Sequence, residues 1–170
     1  PAMLCEKWRT DLRVRFGMEA EIVSADRILE KLNGFLTHGT PHSFSLITSL
    51  EGLRPPANYE QLERTGARAA LARLLDQAST LSEEKPLDLV IIDEAHYLRN
   101  ASTANHRLGN LLRDAARHLV LLTATPIQIH SQNLYQLLRL ISPEDFYNID
   151  LFDDMLRANE PVVQALRYLW

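Results

Sequence analysis

Apolar residues recur along this chain with two spacings, and each spacing predicts a different kind of element. Near the start, four apolar residues lie four positions apart with charged residues between them: Leu4, Trp8, Leu12 and Phe16. This spacing predicts an amphipathic helix, which Gly17 would end. Four short runs rich in apolar and β-branched residues predict strands instead, at residues 20–24, 44–48, 87–92 and 119–122.

Helical patterns separate the predicted strands along the chain. The predicted helices cover residues 26–32, 59–79, 105–116 and 132–141, with one or two more across 151–170 interrupted at Pro161. Residues 34–41 are predicted to form a loop. Polar or turn residues bound the later apolar runs, which favours buried parallel strands over hairpins. The alternation predicts an α/β fold in which helices cover a parallel sheet.

Composition limits the class of protein more than it identifies a partner. The 170 residues favour one domain, and 46% hydrophobic with 24% charged residues is ordinary for a globular protein. A single cysteine excludes an internal disulfide and favours a reducing, cytoplasmic setting. The net charge of −4 shows no excess of positive charge of the kind that dedicated DNA-binding proteins usually carry. It leaves nucleic acid open as a partner, because backbone amides and hydroxyls can also contact phosphates.

An acid pair directly follows the predicted strand at residues 87–92. Asp93 and Glu94 are followed by Ala95 and His96. P-loop ATPases present a metal-binding acid in this way, at the carboxyl end of a buried strand. Asp93 would hold Mg²⁺ through water, and Glu94 would orient and deprotonate the water that attacks a γ-phosphate. The alternative is that both acids cap a helix beginning near Ala95.

A second polar group follows the next predicted strand, about thirty residues downstream. Thr123, Ala124 and Thr125 precede Pro126, which directs the chain out of the sheet. Two hydroxyls at a strand end can bond a neighbouring carboxylate or histidine. The alternative is an ordinary Thr-Pro turn.

Together these segments resemble Swi/Snf-type ATPases, a DEAH-box branch of helicase superfamily two. Residues 89–96, followed by Leu98, Asn100 and Ser102, resemble the family's motif II. Residues 122–128 resemble motif III, and the similarity continues to Phe146. Residues 44–53 resemble motif Ib and residues 1–17 resemble motif Ia. The segments occur in the family's order, which makes the match far more specific than any one motif.

The resemblance implies the first RecA-like lobe of a P-loop NTPase, with a parallel sheet flanked by helices. It also implies ATP and Mg²⁺ as cofactors and an ATP-driven translocase acting on double-stranded DNA. Motifs Ia and Ib touch the phosphate backbone in that family, which assigns this role to Pro1, Ala2, Thr48 and Ser49.

The resemblance also assigns residues to the coupling between the nucleotide site and motif III. His96 is expected to perform this coupling, with Thr123 and Thr125 as its partners and Ala124 between them. The alternative is a histidine with no such task. Ala124, Ile129 and Tyr135 differ from residues common in the family, which leaves the subfamily open.

One family motif does not occur in the sequence. There is no Gly-x-x-x-x-Gly-Lys-Ser/Thr loop, because no lysine follows Gly34 and Gly39. The chain is therefore predicted to be an incomplete lobe over residues 1–146, lacking the phosphate-loop strand, with a helical extension over 147–170 leading toward a second lobe. Alone it is expected to be inactive. An exposed edge at residues 119–122 would favour self-association.

Two other functions remain open, and two other candidate sites are weaker. The chain could be a non-catalytic DNA- or protein-binding module derived from such a lobe, or part of a restriction-type helicase subunit. His38 and His42 have a spacing that would need a helix to bind zinc, which Gly39 and Pro41 disfavour. Arg64, Arg68 and Arg73 are interpreted as a solvated helix face.

The expected location is the cytoplasm, at the nucleoid in a bacterium. The sequence does not determine the biological pathway in which the protein acts.

Overall fold

The structure is a computed structural model that describes residues 2–38, 43–61, 63, 65–81, 85–124 and 131–167. Helices and strands alternate through most of this part of the chain. In order, the elements are α1 (Ala2–Phe16), β1 (Glu21–Ile22), α2 (Ala25–His38), β2 (Leu46–Ile47), α3 (Leu50–Leu53), α4 (Ala67–Leu81), β3 (Leu87–Ile92), a 3₁₀ helix (Ala95–Leu98), α5 (Ala104–Ala115), β4 (Ala116–Leu121), α6 (Ser131–Ile141) and α7 (Ile149–Arg167).

The described strands are parallel, as the sequence predicts, but they form two small sheets. β1 pairs with β2, and β3 pairs with β4 in a longer register that runs from Leu87 opposite Ala116 to Ile92 opposite Leu121. The prediction of one continuous sheet is therefore not met within the described residues. β1 and β2 are only two residues long, so each has little backbone to offer a further strand.

Helices cover one face of the β3–β4 sheet and leave the other open. Ile92 is buried, and Val90 and Leu119 pack against the core. On the opposite face, Leu89 is 53% exposed and Ile91 47% exposed. Successive side chains of a strand point to opposite faces, so this alternation is what a half-covered sheet produces. The prediction of a sheet covered by helices thus holds for one face of this pair.

The core lies between α2, α4, α5 and α6. Its largest fully enclosed side chains are Leu32, Leu75, Leu98, Leu108 and Leu140. At Gly109 of α5 the neighbouring side chains come so close that a Cβ atom would lie 3.0 Å from Leu140 Cδ2. A larger residue there would require the Leu140 side chain to shift by a few tenths of an ångström, so glycine suits the close packing of α5 and α6.

Three predicted helix boundaries are wrong. α2 continues through Gly34 to His38, because a glycine inside a helix costs only about 1 kcal/mol and the helix packs against α4. α4 begins at Ala67 rather than Tyr59; the preceding Gly66 has a φ of 118°, which a helix cannot contain. α7 runs through Pro161 without interruption.

The amphipathic helix predicted at the start of the chain is α1. It ends as expected at Gly17, whose φ of 64° is in the left-handed region. Its apolar face is only partly used, since Cys5 is buried but Phe16 is 73% exposed. Within the described ranges, no helix is both long enough and apolar enough to cross a bilayer.

Candidate functional site

The carboxyl ends of β3 and β4 meet at one edge of their sheet. The amide of Leu122 donates to the carbonyl of Ile92 at 2.9 Å, and the amide of Ala95 donates to the carbonyl of Leu122 at 2.8 Å. These two hydrogen bonds hold the chain in place immediately before and immediately after Asp93 and Glu94. The acid pair and the start of the predicted motif III therefore lie side by side, where open α/β sheets bind their ligands.

Glu94 has an unusual backbone conformation for a residue with a side chain. Its φ of 53° and ψ of 44° are left-handed, a region that few residues other than glycine adopt. Glu94 precedes the 3₁₀ helix, yet its side chain makes no capping hydrogen bond to it. The helix-capping alternative is therefore wrong for the side chain of Glu94.

Both carboxylate oxygens of Asp93 accept a hydrogen bond. Oδ1 accepts from the backbone amide of Glu94 at 2.8 Å, and Oδ2 accepts from the indole Nε1 of Trp8 at 3.0 Å. Each carboxylate oxygen has two acceptor positions, so each keeps one for a further donor. The side chain is thus held in one orientation while still able to accept from metal-bound water.

His96 lies two residues after Glu94, within the 3₁₀ helix. Its Nδ1 is 3.1 Å from Glu94 Oε2, with 20% of the histidine and 42% of the glutamate side chain exposed. The two atoms are within ion-pair distance, but among the described residues the buried Nδ1 has no hydrogen-bond partner. The expected pairing of His96 with Thr123 stays a prediction.

The residues that follow the acid pair anchor it to the core. Leu98 is fully buried, and its carbonyl lies 2.7 Å from His106 Nδ1 on α5. Asn100 Oδ1 accepts from both the amide and the hydroxyl of Ser102, at 3.1 and 2.8 Å. Thr103 then caps α5 by accepting from the amide of His106. Each polar residue of this segment therefore has a structural reason to be there.

The predicted nucleic-acid contacts lie at the ends of α1 and β2. Ala2 is the first residue of α1, which packs against β1 and β2. Thr48 and Ser49 directly follow β2, and Ser49 Oγ accepts from the amide of Gly52 at the start of α3. That bond uses an acceptor position, so the serine proton stays available to donate. Pro1 lies outside the described residues.

The other predicted site residues have mixed outcomes. Thr123 follows the β4 segment, and Ala124 is exposed; Thr125 lies outside the described residues. Arg68 is exposed, while Arg73 donates to the carbonyls of Tyr59 and Gln61 instead of forming a purely solvated face. Arg64, His42 and the side chain of His38 lie outside what the structure describes.

The side chains at the end of β3 suit Mg²⁺ better than a metal that needs three or more protein ligands. Across the described residues, no three His, Cys, Asp or Glu side chains converge to hold an ion. Mg²⁺ does not need such a cage, because it keeps several waters and binds proteins through one or two carboxylates together with substrate phosphates. Asp93, each of whose oxygens accepts a hydrogen bond within the described residues, has the carboxylate chemistry that this requires.

The comparison with known families decides the classification. The sequence matches the SNF2-related domain over residues 30–167, which is most of the chain. The chain belongs to the SNF2-related domain family. This confirms the predicted Swi/Snf-type resemblance, and the family implies a RecA-like fold to which the described parallel strands and helices conform.

Curated relatives of this SNF2-related chain are far longer than it is. It is 26% identical over 172 residues to the RNA polymerase-associated protein RapA of Stutzerimonas stutzeri, and 27% identical over 172 residues to that of Photobacterium profundum. The RapA of Yersinia enterocolitica is 27% identical over 176 residues. Each alignment covers 99% of this chain but only 16% of the relative.

Trp8 is the site residue that sequence reasoning missed. Its spacing marks it only as part of an apolar helix face. The available signal is chemical: a partly buried tryptophan usually finds a partner for its indole N–H. The identity of that partner depends on tertiary contacts, because Asp93 lies 85 positions away in sequence.

Proposed function

We propose that this chain supplies the catalytic acid pair of a Swi/Snf-type motor that hydrolyses ATP to move along double-stranded DNA. The observation that carries the proposal is the position of Asp93 and Glu94 at the carboxyl end of β3, beside the β4 segment that leads to Thr123. Membership of the SNF2-related domain family supports helicase-like ATPase chemistry in general.

In the proposed reaction the two acids have different tasks. Asp93 is held by Trp8 and by the amide of Glu94, so it offers its remaining acceptor positions to water on Mg²⁺. Bound magnesium would neutralise charge on the phosphates. Glu94 has a half-exposed carboxylate that makes no helix cap, so it is available to orient and deprotonate the attacking water. His96 would stabilise Glu94 in that position.

Other parts of the site are proposed to come from residues outside this sequence. The chain contains no Gly-x-x-x-x-Gly-Lys-Ser/Thr loop, and such a loop supplies most of the cradle for the phosphates. We therefore propose that residues 1–170 alone do not hydrolyse ATP. The absence of this loop from the sequence also favours a second candidate function, in which the chain is a non-catalytic module that binds DNA or protein.

The proposed contacts to DNA are few and made to the backbone. Ala2, Thr48 and Ser49 would donate amides and hydroxyls to phosphates without reading sequence, and Pro1, whose ring leaves no amide N–H to donate, would contribute van der Waals contact with the backbone. A net charge of −4 fits a small number of such contacts rather than a broad basic surface. The relatives are named for their association with RNA polymerase, which makes that enzyme the first protein partner to test.

The test of the proposal is Mg²⁺-dependent ATP hydrolysis by the longest reading frame that contains this segment, with and without duplex DNA. Turnover stimulated by DNA is expected, and Asp93→Asn should remove it. Asp88→Asn is the matched control, because this acid of the same strand is 88% exposed. A frame that carries an upstream phosphate-binding loop and yet shows no turnover would favour the binding module.

Self-association of the isolated chain is a further expected result. Within the described residues β4 pairs with β3 alone, and Ile91 and Val120 are half exposed on the open face of that sheet. An unpaired, apolar strand edge tends to pair with another chain. Sedimentation velocity should show a mass that increases with concentration, and Val120→Lys, which places a charge on the edge strand, should reduce it. Met155→Lys, at an exposed position of α7, is the control, and a monomer at all concentrations would contradict the prediction.

A further inference from the structure

A hydrogen bond joins α1 directly to the acid proposed to bind magnesium. The indole Nε1 of Trp8 donates to Oδ2 of Asp93 at 3.0 Å across 85 positions of sequence. The side-chain hydrogen bonds of Thr10 and Arg15 on the same helix end within α1, on Glu6 and Asp11. The hydrogen bond from Trp8 differs from these because it joins α1 to another part of the fold, the residue that follows β3.

The two hydrogen bonds to Asp93 come from different segments of the chain and together fix its carboxylate. The amide of Glu94 holds Oδ1 and is part of the local turn, whereas the indole holds Oδ2 and belongs to a separate element. A carboxylate with one fixed donor can rotate about its terminal bond. With a donor on each oxygen, any rotation breaks one of the two hydrogen bonds.

Magnesium is sensitive to such orientation. It requires nearly ideal octahedral geometry, so a carboxylate that accepts from its bound water must be held at the correct angle. Groups that orient a metal-binding side chain without touching the metal typically change metal affinity by 10–100-fold when they are removed. An indole is a suitable group for this task because it is a donor only, with one N–H in a fixed direction.

We propose that Trp8 is a positioning residue that holds Asp93 in the orientation that receives Mg²⁺. This inference rests on the proposed function, since it assigns to Asp93 the metal role given there. It also links two proposed activities physically: α1 begins at the predicted DNA contact Ala2 and reaches the metal acid through Trp8. A shift of α1 on DNA would thus change the geometry of the indole–carboxylate bond.

The inference is tested first by metal affinity, which needs no turnover. Binding of Mn²⁺, a spectroscopic substitute for Mg²⁺, would be measured from the electron paramagnetic resonance of the free ion, using the longest reading frame with a non-hydrolysable ATP analogue. Trp8→Phe keeps an aromatic ring but removes the donor. It is expected to weaken Mn²⁺ binding by about 10–100-fold. Phe16→Leu, an exposed position of the same helix, should leave it unchanged.

A second measurement examines the hydrogen bond itself in the 170-residue chain. The chain has two tryptophans, so a nitrogen-15 correlation spectrum contains two indole signals, and loss of one in Trp8→Phe identifies it. Asp93→Ala should move the Trp8 indole proton upfield and speed its exchange with solvent. Asp88→Ala, on the same strand, should do neither.

The outcomes separate this inference from the proposed function. Equal Mn²⁺ affinities in wild type and Trp8→Phe, or an indole signal indifferent to Asp93→Ala, would overturn the positioning role. A wild-type frame that binds no Mn²⁺ would overturn it as well. Absence of DNA-stimulated turnover, with metal binding weakened as expected in Trp8→Phe, would instead refute the motor and leave the positioning role standing.

Discussion

Replacing Glu94 with glutamine is expected to lower ATP turnover by at least about 100-fold while leaving nucleotide binding nearly intact, in the longest reading frame that contains this chain. The amide has the size of the carboxylate but cannot accept a proton from the attacking water. Glu94 makes no capping bond to the 3₁₀ helix, so the substitution should not disturb the fold at that point.

The measurement for Glu94→Gln is steady-state ATP hydrolysis with saturating duplex DNA, together with the affinity for a fluorescent ATP analogue. Glu144→Gln is the matched control, because this glutamate lies exposed in the turn after α6. Its turnover should match the wild type. If Glu94→Gln hydrolyses ATP at the wild-type rate, the role assigned to Glu94 is wrong, whatever the status of Asp93.

Replacing Leu98 with alanine is expected to destabilise the chain by about 2–5 kcal/mol. Leu98 ends the 3₁₀ helix that follows the acid pair and has no exposed surface. Its Cδ1 lies 3.4 Å from where a Cβ on Gly109 would be, so it fills the space between the site and α5. Truncation would leave a cavity lined by tightly packed leucines, which the surrounding helices can close only in part.

Urea unfolding followed by circular dichroism would measure this loss. Leu151→Ala is the control for leucine truncation, because Leu151 is 47% exposed on α7 and its loss should change the unfolding free energy by about 0.5 kcal/mol or less. Similar unfolding free energies for the two variants would contradict the prediction, because Leu98 would then contribute no more to stability than an exposed leucine. Destabilisation by Leu98→Ala alone would show that the packing of Leu98 beside α5 contributes to the stability of the fold.

The best-predicted part of the fold is the stretch from β3 to α6. The strand predicted at residues 87–92 has those bounds in the structure, and α5 and α6 begin within one residue of their predicted starts. The strand predicted at residues 119–122 is the exception, because β4 begins at Ala116, directly after α5, and ends at Leu121. These elements have strong local signals: an apolar run before two acids, and clear helical periodicity. The DEAH-like segment and its flank also carried the family resemblance that the comparison confirmed.

The poorly predicted elements are those where the structure departs from a local signal. Gly34 lies in a helix because α2 gains contacts with α4 that outweigh its conformational cost. Pro161 lies within α7, although a proline usually ends or kinks a helix. Tyr59 is buried in a turn instead of starting a helix. Propensity is a weak predictor at single positions when tertiary contacts are available to offset it.

The sequence by itself determined the family, the strand that carries the acid pair, and the adjacency of Asp93 and Glu94. These follow from neighbouring residues, because strand patterns and motif spacing are local properties. Only the tertiary structure decided three features: the left-handed backbone conformation of Glu94, the exposed face of the β3–β4 sheet, and the hydrogen bond from Trp8 to Asp93. Those features depend on which surfaces of distant segments pack together, and the spacing of residues along one chain does not specify that.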